Sequence, residues 1–340
     1  MRQVLTPLLA CLVAGFCAGA ALAQDCSGRD LIAALPQADR AEIERRVAEI
    51  PYHQGIFWRA SKGDARITLI GTYHFDDPVH DATVARFAPE IRAADRLLVE
   101  LGPGEEAELM AAMARDPALM MDPTGPTLPE RLSEEDWQAL SEALSARGIP
   151  AIMASRLRPW YVATLLSLAP CMIRQLASGE GERGLDWQLM DVAAKADVPI
   201  AALEPWDTVL EMFTSLSPED EIDMIVYSLP VAGYADDYGA TLSAAYAAGD
   251  VWQIWEFGRL DAYRNSGLPE GKVDEMTDEA QELLMDRRNR SWIAPLTDAA
   301  AAAATDGEGV VAAFGALHLS GEDGVLRLLE KEGWTTEPVR

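Results

Sequence analysis

Two of the four histidines in this chain, His74 and His318, occupy the same kind of local sequence. Each follows an apolar run, residues 67–70 in one case and 310–314 in the other, and each has a glycine three positions before it. Such a run predicts a buried strand, and a glycine at its end lets the backbone turn or approach a neighbour closely. Open α/β sheets bind their ligands at the carboxyl ends of their strands, so both imidazoles are predicted to lie at that edge.

Glu100 adds a carboxylate to this pair, because it ends another apolar run, residues 97–99. Burying an ionisable group at such a position is costly unless the group is paired or coordinated. Two histidines and a glutamate from three strand ends can form an open metal site that binds a divalent ion and leaves a position for water. Each residue also has a structural alternative: a hydrogen-bonded histidine, or a glutamate in a salt bridge or at a helix N-terminus.

Other polar residues near these strands are weaker candidates. Asp76 and Asp77 follow His74 and could add an oxygen ligand, but the sequence His-Phe-Asp-Asp-Pro also favours a turn, and we interpret it as one. His80 lacks the preceding strand and glycine, so it is predicted to be exposed on the following loop. His53 is predicted to be structural.

The aromatic residues allow two interpretations. Trp206 and Asp207 either line the cleft or belong to the end of a strand and the cap of a helix. Trp252, Trp255 and Phe257 are at helical spacing, which is more typical of a core than of a substrate platform. The chain has no Gly-x-Ser-x-Gly, no phosphate-binding loop of the Walker type and no dinucleotide-binding glycine pattern after a strand.

The candidate residues must be positioned by strands that alternate with helices. The sequence predicts strands at residues 55–58 and 66–72 (a hairpin with a turn at 62–64), 96–100, 198–204 and 309–314, and helices at 29–50, 81–93, 186–196, 291–304 and 323–332. Residues 105–175 and 208–294 are predicted to be mostly helical. The predicted fold class is therefore α/β: a central mixed β-sheet flanked by helices, with a long helical insertion between the N- and C-terminal strand-bearing parts. The strands that end at Gly71, Glu100 and Gly315 should be neighbours in this sheet.

Composition limits the classes of partner. The chain has 340 residues, with 28 Lys and Arg against 55 Asp and Glu, and a formal net charge of −27. Hydrophobic residues make up 49%, as in an ordinary globular protein rather than a disordered acidic chain. Nucleic acid is not an expected partner, because phosphate binding requires clustered Lys and Arg.

The first 23 residues are predicted to be a signal peptide, and residues 24–340 a single domain. Arg2 precedes an apolar stretch that ends in Ala21-Leu22-Ala23, the small-x-small pattern of a cleavage site. An uncleaved anchor is the alternative, since the stretch is close to the minimum length that spans a bilayer. After cleavage we expect a periplasmic or secreted protein without a membrane segment.

Export changes the interpretation of the cysteines, because only Cys26 and Cys171 remain after residues 1–23 are removed. Two cysteines in an oxidising compartment predict one disulfide, with two unpaired buried thiols as the alternative. The bond would close a loop of about 145 residues, for which the chain-entropy model gives about 4–5 kcal/mol.

Several of these segments together resemble the TraB/PrgY/GumN family, to whose superfamily the animal TIKI proteases belong. The resemblance extends over about residues 55–337 and is carried by Gly71-Thr-Tyr-His74, Val99-Glu100, and residues 314–324 and 328–334. The intervening sequence also fits, with Gly184-Leu-Asp186 opening a helix, Leu203-Glu204 ending a strand, residues 247–250, and Arg288-Asn289 before the last long helix. The sequence departs from many members after Glu204, which leaves the substrate open.

The resemblance implies a metal-dependent protease whose active-site residues are His74, Glu100 and His318. Arg288 matches a family arginine that can orient a carboxylate or a substrate carbonyl. The expected function is therefore an exported hydrolase, peptidase-like, with Mn, Co or Zn as the divalent ion and a peptide or protein as substrate. Glu100 would be a metal ligand or a general base. The alternative is a periplasmic protein that binds a peptide or glycan without cleaving it. The oligomeric state is left open.

Overall fold

The centre of the structure, a computed structural model that describes residues 28–173, 184–214 and 216–339, is a six-stranded sheet. The strands are β1 (Phe57–Lys62), β2 (Ala65–Thr72), β3 (Leu97–Val99), β4 (Ile200–Ala202), β5 (Val310–Gly315) and β6 (Thr335–Pro338). Their order is β4-β3-β5-β2-β1-β6. Strands β4, β3, β5 and β2 run parallel, whereas β1 is antiparallel to both β2 and β6. The sheet is mixed, and the predicted fold class is confirmed.

The predicted hairpin consists of β1 and β2. Lys62 pairs with Ala65, and the turn between them contains Gly63 with a φ of +60°. Glycine adopts this left-handed conformation without steric cost, which favours a two-residue connection. Strand β1 extends further towards the turn than the sequence indicated, and its polar residues 59, 61 and 62 are exposed.

The central strands are buried on both faces, which explains why their sequences are continuous apolar runs. In β2, Leu69 packs into one cluster and Ile70 into the other, because side chains alternate across a strand. The cluster on the Ile70 side includes residues of the helices α3 (His80–Arg92) and α9 (Leu185–Lys195). The cluster on the Leu69 side includes residues of α15 (Arg287–Ala304) and α16 (Val325–Lys331).

Two short helices precede the sheet where the sequence predicted a single helix over residues 29–50. They are α1 (Leu31–Ala34) and α2 (Gln37–Val47). Pro36 separates them: its ring disfavours a helical conformation at Leu35, and it stands as the N-cap residue of α2. The prediction of a continuous helix is therefore wrong at this proline.

The predicted helical insertion lies between β3 and β5, with β4 inside it. Its described helices are α4 (Pro103–Arg115), α5 (Leu128–Arg131), α6 (Glu134–Ala146), α7 (Ala151–Ala154), α8 (Pro159–Ser167), α9, α10 (Thr208–Thr214), α11 (Pro218–Ala232), α12 (Ala235–Ala247), α13 (Trp252–Asn265) and α14 (Glu270–Gln281). A π-helical segment, Glu282–Asp286, joins α14 to α15. Helices α5 to α8 and α11 share a separate small core, so part of the insertion packs on itself rather than on the sheet.

None of the helices in the described ranges is long and apolar enough to span a bilayer. The predicted disulfide remains a prediction, because Cys26 lies outside the described residues. Cys171 is buried, and its Sγ lies 3.1 Å from a carboxylate oxygen of Asp236. Gly28, two positions after Cys26 in the sequence, packs against the backbone of the same Asp236.

Candidate functional site

The parallel pairing of β3, β5 and β2 brings three strand ends to one edge of the sheet. Thr72 is paired with Gly315, and Val99 with Ala313. The strands that end at Gly71, Glu100 and Gly315 are therefore neighbours, as predicted, and the residues that follow them meet at the carboxyl edge.

Gly315 is the point around which the predicted site residues gather. A Cβ atom at this position would lie 3.2 Å from Glu100 Oε1, 3.5 Å from His74 Nε2 and 3.4 Å from His318 Cδ2. The two histidine ring atoms are thus less than 7 Å apart, and a side chain at residue 315 would crowd all three groups. Gly71 is equally restricted, because its Cβ would lie 2.8 Å from Leu319 Cδ1.

His74 is oriented by the start of helix α9. Gly184 packs so closely on the backbone of His74 that a Cβ would stand 2.2 Å from its carbonyl oxygen, and the Leu185 N–H donates to Tyr73 O. This contact places Asp186 Oδ2 2.8 Å from His74 Nδ1, while Asp186 Oδ1 accepts from the Thr72 hydroxyl. The negative charge of Asp186 raises the pKa of His74 to about 9, although the side chain is 59% exposed to water. The His74 Nε2 atom is the one that faces Gly315.

Glu100 is held by two donors. Its Oε1 accepts the Gly315 N–H at 2.6 Å, and its Oε2 accepts from Arg288 Nη2 at 2.7 Å. Burial disfavours the carboxylate, but the nearby His318, Arg288 and His74 and the Gly315 N–H outweigh burial, so the pKa of Glu100 lies well below its ordinary value. Glu100 is ionised at neutral pH.

His318 is buried, in contrast to His74, and is 6% exposed. Its Nδ1 lies 2.6 Å from Asn289 Oδ1, and the Asn289 amide donates to Asp323 O, so Nδ1 carries the proton in this arrangement. Burial, together with the charge of Arg288, lowers the pKa of His318 to about 3. The ring is therefore neutral, and its Nε2 lone pair lies 3.8 Å from Glu100 Oε1.

Arg288 joins two glutamates of the site, the buried Glu204 and the half-buried Glu100. Its Nη2 donates to Glu100 and to Glu204 at 2.7 Å each, and its Nε donates to Glu204 at 2.9 Å. Trp292 Nε1 adds a third donor to Glu204 at 3.1 Å. Arg288 Nη1 lies 3.3 Å from His318 Nε2, so the guanidinium contacts both halves of the site. His74, Glu100, His318 and Arg288 are called the polar centre below.

A cleft of about 270 Å³ is lined by His74, Glu100 and Arg288 of the polar centre, while the buried His318 is not among its lining residues. Its walls are largely apolar and include Leu101, Leu109, Trp187, Trp206 and Val209. Trp206 lines the cleft, which was one of its two interpretations from the sequence. Asp207 is not among the lining residues. A molecule in this cleft therefore meets an apolar wall on one side and the charged groups on the other.

The other polar candidates lie outside the polar centre. Asp77 accepts the Val79 N–H and the Ser243 hydroxyl, which fits the turn that the sequence favoured. His53 Nδ1 lies 3.4 Å from Asp250 Oδ1, away from the site. Trp252 and Phe257 are buried in the core, and Trp255 packs partly buried against it.

The prediction that His80 is exposed is wrong. Helix α3 begins at this residue, and the helical turn directs the imidazole inwards, where it is fully buried between the rings of Tyr73 and Tyr246. Neither ring nitrogen has a hydrogen-bond partner among the described residues, and burial lowers the pKa of His80. The overlooked signal in the sequence is the pair of aromatic residues, Tyr73 and Phe75, that shortly precedes His80.

Three residues of the site were not identified as functional from the sequence: Asp186, Glu204 and Asn289. Each holds a residue that was predicted, namely His74, Arg288 and His318 respectively. Glu204 carried a usable signal, since it ends a strand as Glu100 does and is 7% exposed.

The side chains offer nitrogen and oxygen donors to a divalent ion but do not form a finished ligand set. In the described ranges, no three or more His, Cys, Asp or Glu side chains are placed so that they could hold a metal as they stand. Nevertheless, each histidine gives its Nδ1 to an oxygen acceptor and leaves Nε2 on the side of Glu100. Metal-binding histidines are commonly oriented by such acceptors. The chemistry of the donors fits a divalent ion, provided that Arg288 Nη1 turns away from His318 Nε2 and that the binding ion displaces the Nε2 proton of His74, whose pKa is about 9.

The fold and the site define an α/β protein with a charged histidine–glutamate–arginine centre at the carboxyl edge of a mixed sheet. The chain belongs to the TraB/PrgY/gumN family, whose model matches residues 56–338. It is similar to the uncharacterized protein YbaP of Escherichia coli (strain K12), with 26% identity over 272 residues that span 78% of this chain and 89% of that protein. YbaP of Shigella flexneri matches to the same extent. No solved structure gives a significant match.

Proposed function

We propose that this protein is an exported metal-dependent hydrolase, peptidase-like, whose centre is formed by His74, Glu100 and His318. The observation that supports this most strongly is the convergence of His74 Nε2, Glu100 Oε1 and the His318 ring on Gly315, beside a cleft that His74 and Glu100 line. Export rests on the signal-like residues 1–23.

The three side chains would share one divalent ion. Asp186 and Asn289 would act as outer partners that fix each imidazole with Nε2 towards the ion. When bound, the ion supplies an acidified water and polarises a carbonyl group. Glu100 would have one of two roles: a carboxylate oxygen would complete the ligand set, or the carboxylate would take a proton from the water.

The chain's own groups supply the rest of the chemistry. Arg288 keeps Glu100 ionised and in place, and its guanidinium lies where it can donate to a substrate carbonyl beside His318. The apolar wall that includes Trp187 and Trp206 would hold a side chain of the substrate and exclude water on that side. His74, being exposed, is in the best position to exchange a proton with solvent.

A protein that binds a peptide or glycan without cleaving it is the second candidate. One contact favours it: Arg288 Nη1 lies 3.3 Å from His318 Nε2, so a cation of the chain itself already occupies that lone pair. A centre closed by salt bridges recognises a ligand as readily as it cleaves one.

The experiment is a cleavage screen of the chain from residue 24, with a peptide library and with Mn, Co or Zn added in turn. Mass spectrometry detects the products. The hydrolase predicts cleavage that is lost in Glu100→Gln and His318→Ala and retained in His53→Ala, a control outside the polar centre. Stoichiometric binding of library peptides without any product under all three metals would favour the second candidate and contradict the first.

A further inference from the structure

A groove larger than the cleft lies in the helical insertion. It encloses about 800 Å³ between α11, α12, α13, α14 and the π-helical segment, within the size range of ligand sites. Its wall is mainly apolar, from half-buried or buried side chains that include Met224, Leu242, Ile254, Met276 and Leu283. We call this the helical groove.

The rim of the helical groove is acidic. Six carboxylates line it against two cations, Lys272 and Arg287, which gives a formal charge of −4; the carboxylates are Asp220, Asp223, Asp261, Asp278, Glu279 and Glu282. Two of them already pair with arginines outside the lining, Asp278 with Arg259 at 3.0 Å and Glu282 with Arg290, so the rim that remains is acidic by about two charges. The cations are weakly engaged: Lys272 Nζ lies 3.7 Å from Asp223 and Arg287 Nε 4.0 Å from Glu282. A ligand that matches this surface must therefore be apolar on one side and positively charged at its edges.

The wall also contains an unused hydrogen-bond donor. Trp255 lines the groove, and its indole Nε1 is buried with no acceptor among the described residues. An indole N–H is a donor only, and a backbone carbonyl of a bound peptide would satisfy it once the ring turns its buried Nε1 towards the groove. A peptide carries such carbonyls along its whole length, whereas a simple cationic amphiphile does not.

Two residues that line the helical groove lie next to the polar centre. Leu284 lines the groove, and its carbonyl accepts from Arg288 Nη1 at 3.1 Å. Leu317 also lines the groove and immediately precedes His318. The π-helical segment lies between the two sites, and π-bulges are frequent at functional sites.

We propose that the helical groove binds a cationic amphipathic peptide segment, with its apolar face against the groove wall and its basic residues over the acidic rim. The site stands on its own geometry and does not depend on whether the polar centre hydrolyses anything. A ligand in the helical groove would contact the π-helical segment, in which the Leu284 carbonyl accepts a hydrogen bond from Arg288.

The test measures calorimetric binding of three synthetic peptides to the chain from residue 24, without added metal. The first is an amphipathic Leu/Lys peptide, the second has the same composition in an order without a continuous apolar face, and the third replaces Lys with Glu. The proposal predicts that only the first binds. Equal binding of the second would overturn it, because a chain as acidic as this one, with a formal charge of −27 over its full sequence, attracts any polycation.

Charge-reversal variants locate the site. Glu279→Lys reverses a rim charge, while Glu270→Lys makes the same change on an exposed residue of α14 that does not line the groove. Glu279→Lys should weaken binding of the first peptide about fivefold or more, and Glu270→Lys much less. Equal effects of the two substitutions would contradict the proposal. Met276→Ser, which removes apolar wall without changing charge, should also weaken binding.

Two other occupants of the helical groove would give different results, the first in calorimetry and the second in sedimentation. Binding of a neutral acyl chain but not of the Leu/Lys peptide would overturn the proposal in favour of a lipid-like ligand. A dimer in sedimentation that Glu279→Lys dissociates would overturn it in favour of a second copy of the chain. Since no arm uses metal or activity, none of these results bears on the proposed hydrolase.

Discussion

Arg288→Met tests whether the polar centre is held by a buried ion triad. The Arg288 side chain is 12% exposed, and it lies between the carboxylates of Glu100 (14%) and Glu204 (5%). Methionine keeps the apolar stem but removes three charge-assisted hydrogen bonds of 2.7–2.9 Å. Two largely desolvated negative charges then face each other without a cation between them, and the protonated His74 is left as a neighbour of Glu100 alone.

The expected loss of stability is large. Removing one partner from a buried ion pair costs about 3–5 kcal/mol, because the remaining charge stays desolvated. Arg290→Met is the matched control two positions away: Arg290 is 42% exposed and pairs with the exposed Glu282 and Asp323, so its loss costs about 1 kcal/mol or less.

The pH dependence separates this effect from a simple packing defect. In the native protein the depressed pKa of Glu100 contributes stability that is present above its ordinary value of about 4.3 and is lost as the pH falls below it. In Arg288→Met the same carboxylate is destabilising while ionised, and protonation relieves it. The difference between the two proteins should therefore be largest near pH 7 and shrink towards pH 4.

Urea unfolding of native protein, Arg288→Met and Arg290→Met at pH 7 and pH 4 gives these differences. Adding Glu100→Gln and Glu204→Gln to Arg288→Met should recover about half of the loss or more, because the uncompensated charges disappear. A loss for Arg288→Met that is no larger than that for Arg290→Met, or that does not change with pH, would refute the reasoning.

Three further predictions follow from buried or paired groups. Asp186→Asn should let the pKa of His74 fall from about 9 towards its ordinary value of about 6.5, by NMR titration. Because that pKa is raised, the contribution of His74 to stability is present below about pH 6.5 and lost as the pH rises through 9; an unchanged pKa would contradict the role of Asp186. Burial lowers the pKa of His80, so the contribution of the neutral ring to the free energy of unfolding is present above about pH 6.5 and is lost as the pH falls below it. His80→Phe should therefore lose less stability than native protein between pH 7 and pH 5. An equal loss in urea unfolding would count against this. Unfolded, unreduced protein without residues 1–23 should show no free thiol, and Cys171→Ser should cost about 2–4 kcal/mol; two free thiols would disprove the pairing with Cys26.

The strands and their shared edge were predictable because the signal is local. Each central strand is an apolar run buried on both faces, and the residue that follows it marks the edge, so the order of residues alone is enough to group His74, Glu100 and His318. The parallel arrangement of β3, β5 and β2 brings the three side chains together.

The partners of these residues were not predictable from local sequence. Asp186 lies 112 residues from His74, and Glu204 lies 84 residues from Arg288, so only the packing of α9 and α15 on the sheet reveals the contacts. The prediction that His80 is exposed was wrong for a related reason: its burial depends on Tyr246, which belongs to helix α12, far away in the sequence. The helical groove likewise exists only once four helices have packed.

The most direct test of the central claim is the metal content of the chain from residue 24 after equilibration with Mn, Co or Zn and removal of free ions. If His74, Glu100 and His318 hold a divalent ion, native protein and the His53→Ala control should each retain about one ion per chain. His74→Ala and His318→Ala should lose it while their circular dichroism stays native. Full retention of metal by both of these folded variants, or no retention by native protein with any of the three metals, would contradict the account.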